Sequence, residues 1–338
     1  MLKRTILATI LVFATLSAQT VTKVGMTTCP FLKIGVGGRA AGMGEAFVAT
    51  ANDASALYWN PAGIAQLSRP EFLFVKSNWI ADIYHTFVGF VMPLGVRGVV
   101  GGSITYLGMP EMEVRTVYQP NGTGERWHYS ELAAAVSYGK YFTDKFAFGG
   151  TAKLLYDQLY NMSATGVAVD VGLIYHMEFR NLTIGMSLTN FGTKMRLVGE
   201  NTRFIYHLEP ERDPNSQPNV PADLRTESWE LPMRFQVGLS GYAVQTKTVK
   251  LLVEVDAVHP NDNTPYGNIG AELQVGNFLA LRAGHRWIGM RDREGGLSAG
   301  FGINWRMPGN GFAISIDYGY TDIGRLKDVH RMSVIFKF

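Results

Sequence analysis

The sequence predicts an all-β fold, a transmembrane β-barrel of about 14 antiparallel strands with an N-terminal plug, or hatch, inside the lumen. Three observations predict it. From about residue 70 to the end, apolar residues alternate with small or polar ones, the period of a strand. The composition is that of a sheet facing lipid, because only 17% of residues are charged while 38 are glycine and 12% are aromatic. The segments are joined by short turns that alternate with longer polar loops, which is the layout of an outer-membrane barrel.

The chain opens on MLKRTILATILVFATLSAQ. Lys3 and Arg4 precede an apolar run, Ile6 to Leu16, that is too short to span a bilayer, and small residues follow. Residues 1–19 therefore read as a secretory signal peptide, with the mature chain starting near residue 19 or 20. No later stretch is apolar for long enough to form a membrane helix. The net charge of +3 provides no strong field for nucleic acid. Cys29 is the single cysteine, which excludes an internal disulfide framework, and it reads as a free thiol with no chemistry implied.

Residues 20–69 do not alternate. They hold IGVGGRAAGMGEAFVATANDASALYWNPAGIAQL, in which Asp53 and Ser55 can cap a helical turn and Pro61 pushes Asn60 out of helical conformation. Leu57, Tyr58, Trp59, Ile64 and Leu67 require burial, and a lumen wider than that of an eight-stranded barrel needs filling. This segment is expected to be the hatch, with Trp59, Asn60, Pro61, Ala62 and Gly63 at its centre. The glycines at 35 and 37 match part of a dinucleotide fingerprint, but no βαβ unit surrounds them, so no such cofactor is expected.

Residues 70–338 are expected to form the barrel, in strands near 70–79, 83–93, 97–107, 127–139, 145–158, 163–177, 180–191, 231–243, 247–258, 265–275, 277–288, 295–306, 311–321 and 328–338. At 249–257, Val249, Leu251, Val253 and Val255 share one face while Lys250, Glu254 and Asp256 share the other. Tyr138, Tyr156, Tyr175, Trp287, Trp305 and Tyr320 end apolar rows, as interfacial girdles do. The apolar rows should therefore meet lipid and the polar rows the lumen. The expected lumen charge network is Glu254, Asp256, Glu272, Arg282, Arg286, Arg306 and Asp317, with Lys153 and Asp170 as a further pair. The last strand carries Met332, Val334, Phe336 and Phe338 on one face. Phe336 and Phe338 resemble the terminal aromatic insertion signal of outer-membrane barrels.

The stretch GRAAGMGEAFVATANDASALYWNPAGIAQL resembles the N-terminal signature of the PorV/PorQ family, within the wider FadL-like superfamily with its Asn-Pro-Ala hatch motif. Asn60, Pro61 and Ala62 occupy the motif positions. The resemblance implies two functions. PorV-like members serve type IX secretion, binding cargo with C-terminal sorting domains at the outer face and passing it on. FadL-like members move hydrophobic small molecules across the outer membrane. Expected partners are outer-membrane lipid and secreted cargo or other secretion-system components, with a hydrophobic ligand on the second reading. The paired charges of the lumen disfavour a greasy pathway. Met109, Met112, Val114, Val117, Tyr118 and Trp127, in or beside the 108–126 loop, form a candidate protein-binding surface, and residues 207–230 form a second long polar loop.

An enzyme is not expected. The seven histidines are scattered and no HExxH occurs. Gly296-Leu297-Ser298-Ala299-Gly300 matches GxSxG, but inside a strand and not on the strained elbow that the chemistry needs. No histidine or cysteine spacing suggests a metal, and neither cofactor nor metal is expected.

Overall fold

Period-two alternation becomes one closed sheet. The computed structural model describes residues 24–207, 219–290, 293–308 and 311–338, so the expected signal peptide and part of the 207–230 loop lie outside the described residues. The barrel strands are β1 Glu71–Asn78, β2 Tyr84–Pro93, β3 Val99–Gly108, β4 Tyr129–Thr143, β5 Phe146–Leu159, β6 Met162–His176 and β7 Thr183–Gly192. They continue as β8 Arg234–Gln245, β9 Val249–Pro260, β10 Tyr266–Val275, β11 Leu279–Ile288, β12 Leu297–Arg306, β13 Ala313–Asp322 and β14 Asp328–Lys337. Each strand pairs antiparallel with its sequence neighbours, and β1 closes the ring on β14 from Glu71 opposite Lys337 to Asn78 opposite His330. Closure leaves no free edge, which is what lets a sheet cross a bilayer with every backbone group paired.

The two faces are inverted relative to a water-soluble protein. Val136 and Leu154 on the outer face are 70% and 65% exposed, whereas Glu254 and Glu272 on the inner face are 0% exposed. Such a surface is stable only against lipid. Tyr138, Tyr156, Tyr175 and Trp305 are exposed near strand ends, while Trp287 and Tyr320 are half-buried. No described helix is long and apolar enough to cross a membrane, and crossing is left to the strands.

The connections divide by end. The longest, between β3 and β4 and between β7 and β8, lie at the end opposite the Glu71–Lys337 pair. Each carries a small hairpin. Met112–Glu113 pairs with Arg126–Trp127, and Arg203–His207 pairs with Asn219–Asp223.

Residues 29–67 contain two helical turns, α1 Gly38–Gly42 and α2 Ala56–Trp59, and 3-10 turns at Pro30–Lys33 and Pro61–Gln66. Here α1 packs on β11, β12, β13 and β14, while the turn at 61–66 packs on β3, β4, β5 and β6. The segment therefore packs on two separate arcs of the sheet, β3 to β6 and β11 to β14. Trp59, Asn60, Ala62 and Ile64 are fully buried, and Phe47, Met43 and Leu57 join Trp59 and Ile64 in one apolar core.

Candidate functional site

The candidate site is the seam between the N-terminal segment and the inner wall. Close approach comes first. On β5 and β6, Gly149 and Gly172 lie opposite one another. A Cβ on Gly149 would stand 2.3 Å from the Pro61 carbonyl carbon, and one on Gly172 would stand 2.1 Å from Asn60 Oδ1. Gly300 and Gly319, paired across β12 and β13, accept α1 in the same way. The glycines of the inward rows thus form bare backbone platforms on which the segment lies.

The Asn60-Pro61 break is then anchored by the Asn60 side chain. Its Nδ2 donates to the carbonyls of Val48, at 2.8 Å, and of Leu173 on β6, at 3.1 Å. Its Oδ1 accepts from Ala62 N at 3.1 Å, capping the turn that Pro61 opens. Trp59 Nε1 donates to Val36 O at 2.8 Å, so the indole is buried with its polar edge satisfied. Ala62 packs with Ala147 and Ile174, and Gly63 is required because a Cβ there would stand 2.1 Å from Ala51 O.

Charge completes the seam. Arg39 donates to both oxygens of Glu272, at 2.9 and 3.0 Å, and to Asp53 at 3.0 Å. Arg282 donates to Glu272 at 2.6 Å and to Asp317 at 2.7 Å. Four wall and segment residues thereby form one chain, Arg39–Glu272–Arg282–Asp317. Glu45 Oε1 accepts from Arg286 at 3.1 Å and from Arg331 at 2.9 Å. A register shift between β10 and β11, with Trp287 at φ 62°, sits beside Arg286. Burial would lower the Arg39 guanidinium, but Glu272 and Asp53 more than offset it and hold it above its ordinary range. Burial would raise the Glu45 carboxyl, but Arg286 and Arg331 hold it below the usual carboxylate range.

Glu254 and Asp256 belong to the seam in another way. Asp256 Oδ2 accepts from Phe47 N at 2.9 Å and Val48 N at 3.3 Å, and Glu254 Oε1 accepts from Ala49 N at 2.7 Å. They take up backbone amides of a loop that has no strand to pair with, a non-ionic role not visible in their charge. Lys153 pairs with Asp170 at 2.6 Å, also away from the main network. Arg306 does not join. It is exposed at the end of β12, near Asn304 and Lys337 at the mouth, and makes no ion pair with a described residue. As the last residue of its strand, it can turn to water instead of inward.

Phe336 lies half-buried against Phe72 and Phe312, and Phe338 is exposed beside Phe312. Both stand where the closing strand meets the rim. Sequence reasoning missed Arg39, Glu45 and Arg331 as partners. Arg331 alternates with Met332 and so falls on the lumen row, and Arg39 and Glu45 are isolated charges in an apolar run. Those were the available signals.

Residues 17–178 match the family described as Type IX secretion system protein PorV. No curated protein matches the chain in sequence. Among solved structures, the fold is similar to the toluene transporter TodX of Pseudomonas putida, with 13% identity, a TM-score of 0.58, and 90% of this chain and 97% of that one covered. It is similar also to the toluene transporter TbuX of Ralstonia pickettii, with 13% identity, a TM-score of 0.54 and the same coverages. The monoaromatic hydrocarbon channel CymD gives 12% identity and a TM-score of 0.56, covering 90% of this chain and 96% of that one. At such identities these likenesses concern the fold. The family match takes in residues 29–67 and β1 to β6, just under half of the chain, and with the closed fourteen-stranded sheet it makes the chain similar to the PorV family of outer-membrane barrels.

Proposed function

We propose that this protein acts in protein secretion at the outer membrane, with residues 20–69 as a hatch that closes the lumen and the opposite, long-loop end as the surface that binds and passes on secreted cargo. One observation supports it most. The lumen is crossed by charged links between segment and wall, Arg39–Glu272–Arg282–Asp317 and Glu45 with Arg286 and Arg331. One cavity at the seam, lined by Leu32, Asn190, Arg234 and Tyr266, is about 40 Å³, and another, lined by Ala49, Asn52, Ser240 and Leu252, is about 300 Å³, the lower bound of the roughly 300–1,000 Å³ of an ordinary ligand pocket. A hydrophobic solute would have to break buried ion pairs to pass.

The long-loop end supports the cargo role. Val117 and Tyr118, at the tip of the first hairpin, are 94% and 95% exposed, and Phe204, Ile205 and Tyr206 are exposed on the second. Apolar and aromatic side chains held beyond the wall suit a protein partner. On this reading export requires the signal peptide at residues 1–19.

The test is mild-detergent purification of the native barrel, with mass spectrometry of co-purifying species. Co-purified proteins with C-terminal sorting domains, lost on joint Val117→Ser and Tyr118→Ser substitution, are expected. A stoichiometric hydrophobic small molecule with no protein partner would overturn the proposal in favour of uptake.

A further inference from the structure

Two acids face each other across the β4–β5 pair, where chemistry would not put them without a reason. Glu131 and Asp157 are direct cross-strand partners, both on the lumen side and both buried. Like charges placed directly opposite are destabilising. Neither oxygen of Glu131, nor Oδ1 of Asp157, has a hydrogen-bond partner among the described residues. Glu131 is 1% exposed. Into this pair points Cys29, the first residue of the buried N-terminal segment, which is itself 0% exposed and holds a left-handed backbone with φ 51°. Ligand atoms of the three residues all lie within 4.8 Å of one another.

We propose that Cys29, Glu131 and Asp157 form a binding site for one divalent transition-metal ion of zinc character, which clamps the start of the N-terminal segment to the barrel wall. The donor set selects the class. A thiolate with two carboxylates suits a borderline-soft cation, whereas calcium and magnesium take oxygen donors. Around a tetrahedral zinc the donor atoms stand about 3.5 Å apart, so separations of up to 4.8 Å need to contract by up to about 1.3 Å. A water would complete the four-coordinate shell. The thioether of Met195, 3.5 Å from Cys29 Sγ, adds a soft neighbour.

The surroundings fit such an ion. Phe31, Leu32, Leu107, Ala133, Leu155 and Ala164 pack about the site. A dry apolar shell of that kind strengthens the pull of a metal on its ligands. Three acids this close cannot ionise together unaided, and a divalent cation is what would let them. On binding, the thiol gives its proton to solvent and the thiolate takes the metal. Such a clamp is independent of the secretion proposal, since it would hold the segment in a carrier or a channel alike.

The test uses the full-length protein purified from outer membranes in detergent, stripped with EDTA and titrated with Co²⁺ and then Zn²⁺. The expected result is about one Co²⁺ per chain with a near-ultraviolet thiolate-to-cobalt band, displaced by Zn²⁺ and accompanied by proton release. Cys29→Ser removes the band, and Glu131→Gln weakens uptake by roughly tenfold or more. Heat-modifiable migration checks that each variant is folded. If a variant does not fold, the wild-type spectrum decides alone. A folded wild type that takes up no stoichiometric Co²⁺, or takes it up without the sulfur band, would overturn the site, and so would unchanged affinity in folded Glu131→Gln. In the first case Glu131 and Asp157 are an acid pair that shares protons.

Discussion

Replacing Asn60 by alanine isolates what the Asn-Pro break does for the docked segment. The residue is fully buried and makes three hydrogen bonds, to Val48 O, Leu173 O and Ala62 N. A net value of about 1 kcal/mol for each gives about 3 kcal/mol lost on Asn60→Ala, because only the Leu173 bond reaches the wall and the other two count in full when the segment unfolds as it leaves. That is about a hundredfold rise in the undocked population. The chain carries its own reporter. Cys29 is the single cysteine and is buried. Tyr58 OH donates to Leu32 O at 3.0 Å, which ties the Cys29 end of the segment to α2. With EDTA present to remove any bound metal, maleimide labelling of Cys29 in the folded barrel should accelerate by about two orders of magnitude if the segment opens as a unit. A labelling rate within about threefold of wild type, in protein that still migrates as a folded barrel, would refute the reasoning. The anchor would then carry little energy, or the two ends of the segment would open separately.

Four further outcomes are expected. Gly149→Ala puts a Cβ 2.3 Å from the Pro61 carbonyl carbon and should also speed Cys29 labelling, with a loss of about 1–3 kcal/mol, whereas Gly102→Ala, whose Cβ meets nothing closer than 3.6 Å, should not. Glu45→Gln leaves Arg286 and Arg331 buried without their shared counter-ion, costs about 3–5 kcal/mol, and should expose Arg39 to trypsin. The Glu45 and Asp53 carboxyls are both held below their ordinary range, as arginines outweigh the burial that would raise them. Their stabilisation is therefore complete above about pH 5 and is lost as pH falls through the lowered folded values, so pepsin should cleave residues 30–67 only in strongly acid solution. Phe338→Ala should lower the yield of heat-modifiable barrel in the outer membrane, and an unchanged yield would remove Phe338 from any role in insertion.

What could be read from the chain alone was whatever has a local period. Side chains alternate across a strand whatever the strand pairs with, so the fourteen segments and their lipid and lumen rows were legible residue by residue. Arg282, Arg286 and Asp317 are buried, and each stands two places from another inward residue or glycine. The composition of residues 53–67 likewise showed apolar bulk in need of a place to be buried. Partners were another matter. Arg39 meets Glu272, a residue 233 positions away, only because the ring closes and the segment runs across it. Glu254 and Asp256 look like ion-pair members in sequence, yet they bind amides of residues 47–49, whose path no periodicity describes. Arg306 obeys the alternation but ends its strand, and there solvent competes with the lumen. Cys29 read as a lone thiol until closure set it against Glu131 and Asp157. Alternation is decided over two residues, whereas the lumen's chemistry is decided by register around fourteen strands and by a segment folded against all of them.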